Sequence, residues 1–323
     1  MSGVIRVISY HEARTRALAR ELSANPDAVL IGQSLSLPFN QGDAIAERFP
    51  DQVLVPPYSE LATAAAGIGA AIGGLRPLVA LSTASFMFYA WPAIVNEAPV
   101  VRYLSGGAVA APVAFHVHGG SRRGGGPQHE HTPQSMLQNV PGLRVLAPGT
   151  PAGIDSALHL AFNGEDPTVI FDHVLLADAQ GDIADATPDG PSVSLVRPGR
   201  DALLVASSLM TQRSLAAADL LHSEGIDAGV LDVPVIAPAP IREVIAACRD
   251  WPAVAFVEES RAAGSLSSLL MASLLQQRPE VSVRLVCSAD APAPYALHLL
   301  DEIVPTTARI ATEVRGLLHL ERS

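Results

Sequence analysis

The sequence has no lysine; all 21 of its basic residues are arginine. That excludes Schiff-base chemistry on this chain and any phosphate-binding loop that needs a lysine. Cysteine is nearly absent as well. Cys248 and Cys287 stand far apart, so neither a disulfide framework nor a zinc site is expected. Aromatic residues make up only 5% of the chain, and 32 acidic residues leave a net charge of −11. Such a balance argues against nucleic acid and anionic membranes as partners. No apolar run of membrane length is free of proline, glycine or charge, so no spanning helix is expected. The amphipathic N-terminus lacks the apolar core and cleavage site of a secretory signal, and the expectation is a cytoplasmic protein.

What is abundant is small and apolar. Hydrophobic residues are 49% of 323, enough for two cores and for surface buried against a partner subunit. Strand patterns at Ala28–Ile31, Val53–Val55, Pro77–Leu81, Val113–Val117, Arg144–Ala147 and Thr168–Phe171 alternate with helical ones. The helices are read at His11–Pro26, Leu61–Gly74, Ala90–Val101, Ser135–Asn139 and Pro151–Phe162. This alternation predicts a parallel sheet covered on both faces. Residues 1–182 form the first expected domain. A polar stretch rich in Pro, Gly and Asp, 183–200, reads as a linker, and a second α/β pattern fills 201–323.

Glu60 stands out. It is the only charge between Asp51 and Arg76, at the head of an Ala/Gly helix expected to be buried. Burial favours the protonated carboxyl, so such a group is either paired or placed for proton chemistry. Four of the ten histidines, His116, His118, His129 and His131, crowd one segment with a glycine-rich loop between the pairs. His116 and His118 share one face if the segment is a strand. A metal site, a surface loop with incidental histidines and a catalytic loop all fit. The glycines favour the last, since they let backbone approach a ligand closely. Phe86, Phe88, Tyr89 and Trp91 form an aromatic concentration, either a core patch or a platform for a flat ring.

The order of segments says more than any one of them. PPYSEL and AGIGAAIGGLRP are followed by AIVNEA, RYLSGG, GGPQH, PGLRVLAP and EDPTVIF, then RPGRDALLVA, EGIDAGVLDV and DAPAPY. In this order the chain resembles the β subunit of thiamine-diphosphate-dependent 2-oxo acid dehydrogenases, the E1 components, over nearly its whole length. The resemblance implies an α/β fold: a parallel-sheet pyrimidine-binding domain followed by a transketolase C-terminal α/β domain. It implies an α subunit that holds the diphosphate and Mg²⁺ in an α₂β₂ assembly, and this chain has no G-D-G…N motif of its own. It assigns no metal ligand here.

By the same resemblance Glu60 hydrogen-bonds N1′ of the cofactor's aminopyrimidine, Phe86 packs on that ring, and Tyr89 lines the pocket. His129 becomes the active-site histidine, with His131 its neighbour, and His116 and His118 approach the substrate. Departures are also visible. Gln33-Ser34 replaces an acidic segment, Ser85 an aspartate, Pro92-Ala93 an Asp-Gln pair and His116 an arginine, while His118 and Arg122-Arg123 are unusual. The implied function is decarboxylation of a 2-oxo acid with transfer of the acyl unit, to a lipoyl acyltransferase in the dehydrogenase version. Alternatives are a split transketolase-like or acyloin-forming carboligase with a non-lipoyl acceptor, a non-catalytic subunit that keeps the fold, and a metal-dependent hydrolase built on the H-x-H pairs.

Overall fold

The computed structural model describes residues 6–32, 42–121, 124–183 and 190–320. In chain order the first domain holds β1 (Arg6–Ser9), α1 (Tyr10–Ala24), β2 (Ala28–Ile31), α2 (Gly42–Arg48), β3 (Val53–Leu54), α3 (Glu60–Ile72) and β4 (Arg76–Thr83). It continues with α4 (Val101–Leu104), β5 (Ala114–Gly119), β6 (Arg144–Leu146), α5 (Pro151–Asn163), β7 (Thr168–His173) and β8 (Gln180–Ile183). The second domain holds β9 (Ser194–Arg197), β10 (Ala202–Ala206), α6 (Leu209–Ser223), β11 (Ala228–Asp232), β12 (Val235–Ala237) and α7 (Ile241–Ala247). It ends with β13 (Ala253–Arg261), α8 (Leu266–Gln277), β14 (Ser282–Ser288), α9 (Leu297–Ile303) and α10 (Thr307–Leu320).

Continuous apolar strands such as AVLI in β2 and ALLVA in β10 are buried along their whole length, as strands covered on both faces must be. The first sheet runs β12-β6-β7-β5-β4-β2-β3, and the second β14-β13-β10-β11-β9. All pairings in the first sheet are parallel except that of β12. Here β12 leaves the second domain and pairs antiparallel with β6, so the two domains share a strand rather than a simple tether. The expected linker is also more than connector, since Ser194–Arg197 pairs with β11 as an edge strand; residues 184–189 lie outside the described residues.

Period-two alternation sorts the first sheet's side chains onto two faces. Leu78, Ala114 and Ile170 pack with Ala13 and Ala17 of α1 and Leu158 of α5. Val79, Phe115 and Phe171 belong with Ala64 and Ile68 of α3 and with Met87. Gly67 lets α3 approach closely, because a Cβ there would lie 2.3 Å from Val79 Cγ2.

Two helices differ from expectation. The one read at Ala90–Val101 is broken into a 3-10 segment at Ala84–Ala90, a π-type turn at Ala93–Glu97 and the short α4. Prolines 92 and 99 bracket that turn and remove backbone donors, and Ala98 N bonds to Ala93 O across five residues. The Ser135–Asn139 helix is 3-10, from Pro133 to Asn139. A third difference concerns α3, expected to be buried. Its inner face is, but Leu61, Ala62, Ala65, Ala66, Gly69 and Ile72 form an exposed apolar stripe, with Leu61 46% and Ile72 47% exposed.

The second domain carries an acid buried without a charged partner. Asp232 ends β11 and accepts only from Thr211 Oγ1 at 2.7 Å among the described residues. Burial pushes its carboxyl up to about 7, the Thr211 hydrogen bond opposing. The fold therefore keeps a proton that the unfolded chain releases near pH 4, and stability falls as pH rises from about 4 to 7. Asp232→Asn is expected to raise the melting temperature at pH 8, by at most about 4 kcal/mol of stability, with the gain vanishing toward pH 4. Thermal melts of both proteins across that range check it; an equal or lower melting temperature for the variant at pH 8 contradicts it.

Candidate active site

The C-terminal ends of β4, β5 and β7 lie side by side, with Thr83 opposite His118 and His118 opposite Asp172. Ligands of open parallel sheets bind beyond such ends. The same alternation that divides the core divides the four candidate histidines. His116 and His118 share the face of Ala114, toward α1 and α5. The chain then turns through Gly119 and Gly120 and brings His129 and His131 to the aromatic turn on the α3 side.

On the α3 side, Ser59 caps the helix by accepting from Ala62 N at 3.3 Å, which leaves Glu60 in the first turn. Glu60 is half-buried, and its carboxylate makes no hydrogen bond or ion pair among the described residues. The expectation of a fully buried acid is thus not met within one chain, because the outer face of α3 is bare. That helix packs against β4 and the 3-10 segment holding Phe86. Thr83 and Ser85, at the head of that segment, bury hydroxyls that have no partner among the described residues. Phe86 is half-buried and meets His129 edge-on, ring centroids 5.6 Å apart. Phe88 does the same to His131 at 5.6 Å. Tyr89 is 70% exposed and lies on the surface.

His129 Nδ1 lies 3.2 Å from Gly125 O. A carbonyl only accepts, so Nδ1 carries a proton there, and Nε2 is the nitrogen not engaged by Gly125 O. Burial first, then the nearby Arg261 charge, lowers the pKa of His131. His131 also lines a cavity of about 280 Å³ between the glycine-rich loop and the second domain, with Ser121, Glu130, Glu259 and Arg261. Glu259 anchors this loop. Its Oε1 accepts from Ser121 N at 2.8 Å and its Oε2 lies 3.1 Å from His173 Nε2. Burial opposes its ionisation, but His173 and the Ser121 N–H outweigh burial and lower its pKa. Leu175 N donates to His173 Nδ1, so the His173 proton sits on Nε2, which lies near Glu259 without the angle of a hydrogen bond among the described residues.

On the other face, Asp172 gathers several side chains. Arg14 Nη1 donates to Asp172 Oδ2 at 2.5 Å, His116 Nε2 lies 3.2 Å and His118 Nδ1 3.8 Å from the same oxygen. Burial works against the charge on Asp172, yet Arg14 and then the two histidines hold its carboxyl well below the usual range. Tyr10 is fully buried beside it, and burial and then the Asp172 charge push its phenol well up.

The family profile described as the transketolase pyrimidine binding domain matches residues 6–177, and that of the transketolase C-terminal domain matches residues 192–310. This chain belongs to the transketolase family. Among its relatives, the β subunit of acetoin:2,6-dichlorophenolindophenol oxidoreductase from Cupriavidus necator is 27% identical, over 96% of this chain and 97% of that one. The chloroplastic pyruvate dehydrogenase E1 component subunit beta-3 from Oryza sativa subsp. japonica is 29% identical, over 95% and 81%. A solved split gene transketolase, an inactive beta4 tetramer, shares the fold with a TM-score of 0.78 at 24% identity, over 98% and 99% of the two chains. Among the described residues no helix of this family member is long and apolar enough to cross a membrane.

Sequence reasoning missed Asp172, Arg14, His173 and Glu259. The signals were faint but real. Asp172-His173 and Glu258-Glu259 are consecutive ionisable residues ending apolar strands, and Tyr10 and Arg14 stand one helical turn apart. Gln33-Ser34 and Arg122-Arg123, noted as departures from the family pattern, lie outside the described residues.

Proposed function

We propose that this chain is the β subunit of a two-subunit thiamine-diphosphate enzyme of the 2-oxo acid dehydrogenase E1 type. Glu60 carries the reading: a lone carboxylate at the head of an apolar helix, half-buried and without a hydrogen-bond or ion-pair partner among the described residues. The residues of the segment that α3 packs against fit a flat nitrogen heterocycle. Phe86 offers a half-buried ring, and among the described residues the Thr83 and Ser85 hydroxyls have no partner and the Glu60 carboxylate has no donor. When bound, thiamine diphosphate supplies the nucleophilic carbon and the electron sink of 2-oxo acid chemistry.

This chain's part is to hold the pyrimidine end. Glu60 keeps a proton shared with ring nitrogen N1′, and Phe86 packs on the ring and excludes water. Tyr89 borders the pocket once a partner covers it. His129, its Nδ1 held by Gly125 O and its ring against Phe86, takes or returns a proton at the substrate through Nε2; His131 flanks it. The α subunit holds the diphosphate and Mg²⁺, and the acyl unit passes to an acceptor such as a lipoyl acyltransferase. His116 and His118, on the far face of the sheet, drop out of the substrate set.

The bare stripe on α3 supports the need for a partner, since apolar surface of this kind is ordinarily covered. Glu60 would then be buried by assembly, not by folding. Co-expression with its α subunit is expected to give an α₂β₂ complex that binds thiamine diphosphate, while this chain alone does not. Ala66→Arg, on the stripe, is expected to lower association at least tenfold and leave the chain's own melting temperature nearly unchanged, as surface substitutions do. Analytical ultracentrifugation and cofactor titration read both. A wild-type complex that binds no cofactor overturns the proposal.

A further inference from the structure

We propose that His116, His118 and Asp172 form a binding site for a divalent transition-metal ion with a preference for imidazole and carboxylate ligands, such as Zn²⁺ or Co²⁺. The site lies on the α1 and α5 face of the sheet, away from Glu60, and stands independently of the function proposed above. It reverses the expectation that this chain holds no metal ligand.

Geometry carries the inference. One ligand atom from each of the three residues lies within 4.8 Å of the others. Two of the edges are 3.2 Å from His116 Nε2 and 3.8 Å from His118 Nδ1 to Asp172 Oδ2. A tetrahedral ion with bonds of ~2.0–2.1 Å spaces its ligands about 3.3 Å apart, so the set closes when the wider edges draw in, the widest by no more than about 1.5 Å. The scaffold is rigid. Both histidines project from one face of β5, an interior strand paired on both sides, and Asp172 stands opposite His118 in register on β7. Two imidazoles and one carboxylate suit Zn²⁺, Co²⁺ or Ni²⁺ better than Mg²⁺ or Ca²⁺. A cleft of about 300 Å³, lined by His11, Arg14, His118, Asp172 and Asp178 among others, leads to the site and leaves room for water as a fourth ligand.

Charge balance argues the same way. Arg14 by itself neutralises Asp172, so two imidazoles directed at that one oxygen are surplus to an ion pair. Arg14 is then the competitor a metal must displace, because it occupies the same Oδ2. It lines the cleft, where the exposed Asp178 offers it another carboxylate. Removing Arg14 should therefore strengthen metal binding, whereas a merely structural cluster would only loosen.

The test is titration of the full-length chain with Co²⁺, read by its visible absorption bands and by calorimetry, on wild type, His116→Ala, His118→Gln and Arg14→Met. Circular dichroism confirms that each variant is folded. A stoichiometric band is expected in wild type, weakened at least tenfold in either histidine variant and strengthened at least tenfold in Arg14→Met, with Zn²⁺ displacing Co²⁺. No band in wild type overturns the proposal, even if Arg14→Met shows one. So does a band that both histidine variants keep unchanged.

Discussion

Glu60→Gln is expected to lower turnover of the assembled two-subunit enzyme by about 10²–10⁴-fold, the usual worth of a positioned proton-transfer group. Glutamine keeps the volume and a hydrogen-bonding end, but it cannot hold and release a proton at N1′. Assembly should survive, since the Glu60 carboxylate makes no hydrogen bond or ion pair among the described residues and its position in the first turn of α3 contributes only about 0.3–1 kcal/mol through the helix dipole. Steady-state rates, sedimentation and a cofactor titration separate these effects. Turnover within about threefold of wild type would remove Glu60 from the mechanism and, with it, the main support for the proposed cofactor.

The second large effect falls on stability. Gly120 adopts φ +81°, and a Cβ there would lie 2.0 Å from His173 Nε2 and 2.8 Å from Glu259 Oε2. Alanine at 120 meets two obstacles. The left-handed backbone costs about 1–2 kcal/mol, and the methyl group must part the buried His173 and Glu259 side chains, at about 1–3 kcal/mol for a buried polar group left unsatisfied. Gly120→Ala is thus expected to lower the melting temperature by on the order of 10 °C and to reduce activity further, because the loop it starts carries His129 and His131. Gly225 is the control. It has a similar φ of +84° but open space around its Cβ, so Gly225→Ala should show the backbone cost alone. Equal melting temperatures for the two variants would mean that the His173–Glu259 pair yields to a methyl group and does not hold the loop.

Much of the fold was legible because it depends on local pattern. Apolar strand runs such as Ala28–Ile31 and Thr168–Phe171 could only be interior strands of a covered sheet. The helix read at Pro151–Phe162 is α5, whose start is fixed by Thr150 accepting from Gly153 N. The aromatic segment was harder, because prolines 92 and 99 act on backbone bonds that composition does not reveal. The return of β12 to the first sheet was not legible at all: three residues carry no label for the edge they join.

The site divides in the same manner. Glu60, Phe86 and His129 stand out by residue order and family resemblance alone. The H-x-H pairing correctly placed His116 and His118 on one face but could not say which face. Only the packed sheet decided that, by setting Asp172 and Arg14 beside them and leaving His129 and His131 with Phe86 and Phe88. Arg14, His116 and Asp172 are far apart in the chain, and their approach depends on strand register and helix docking. What the sequence determined unaided was the kind of chemistry: an isolated carboxylate, histidines beside glycines, and no lysine to do other work. Tertiary structure decided the company each group keeps, because burial, pairing and charge balance depend on neighbours that period and spacing cannot specify.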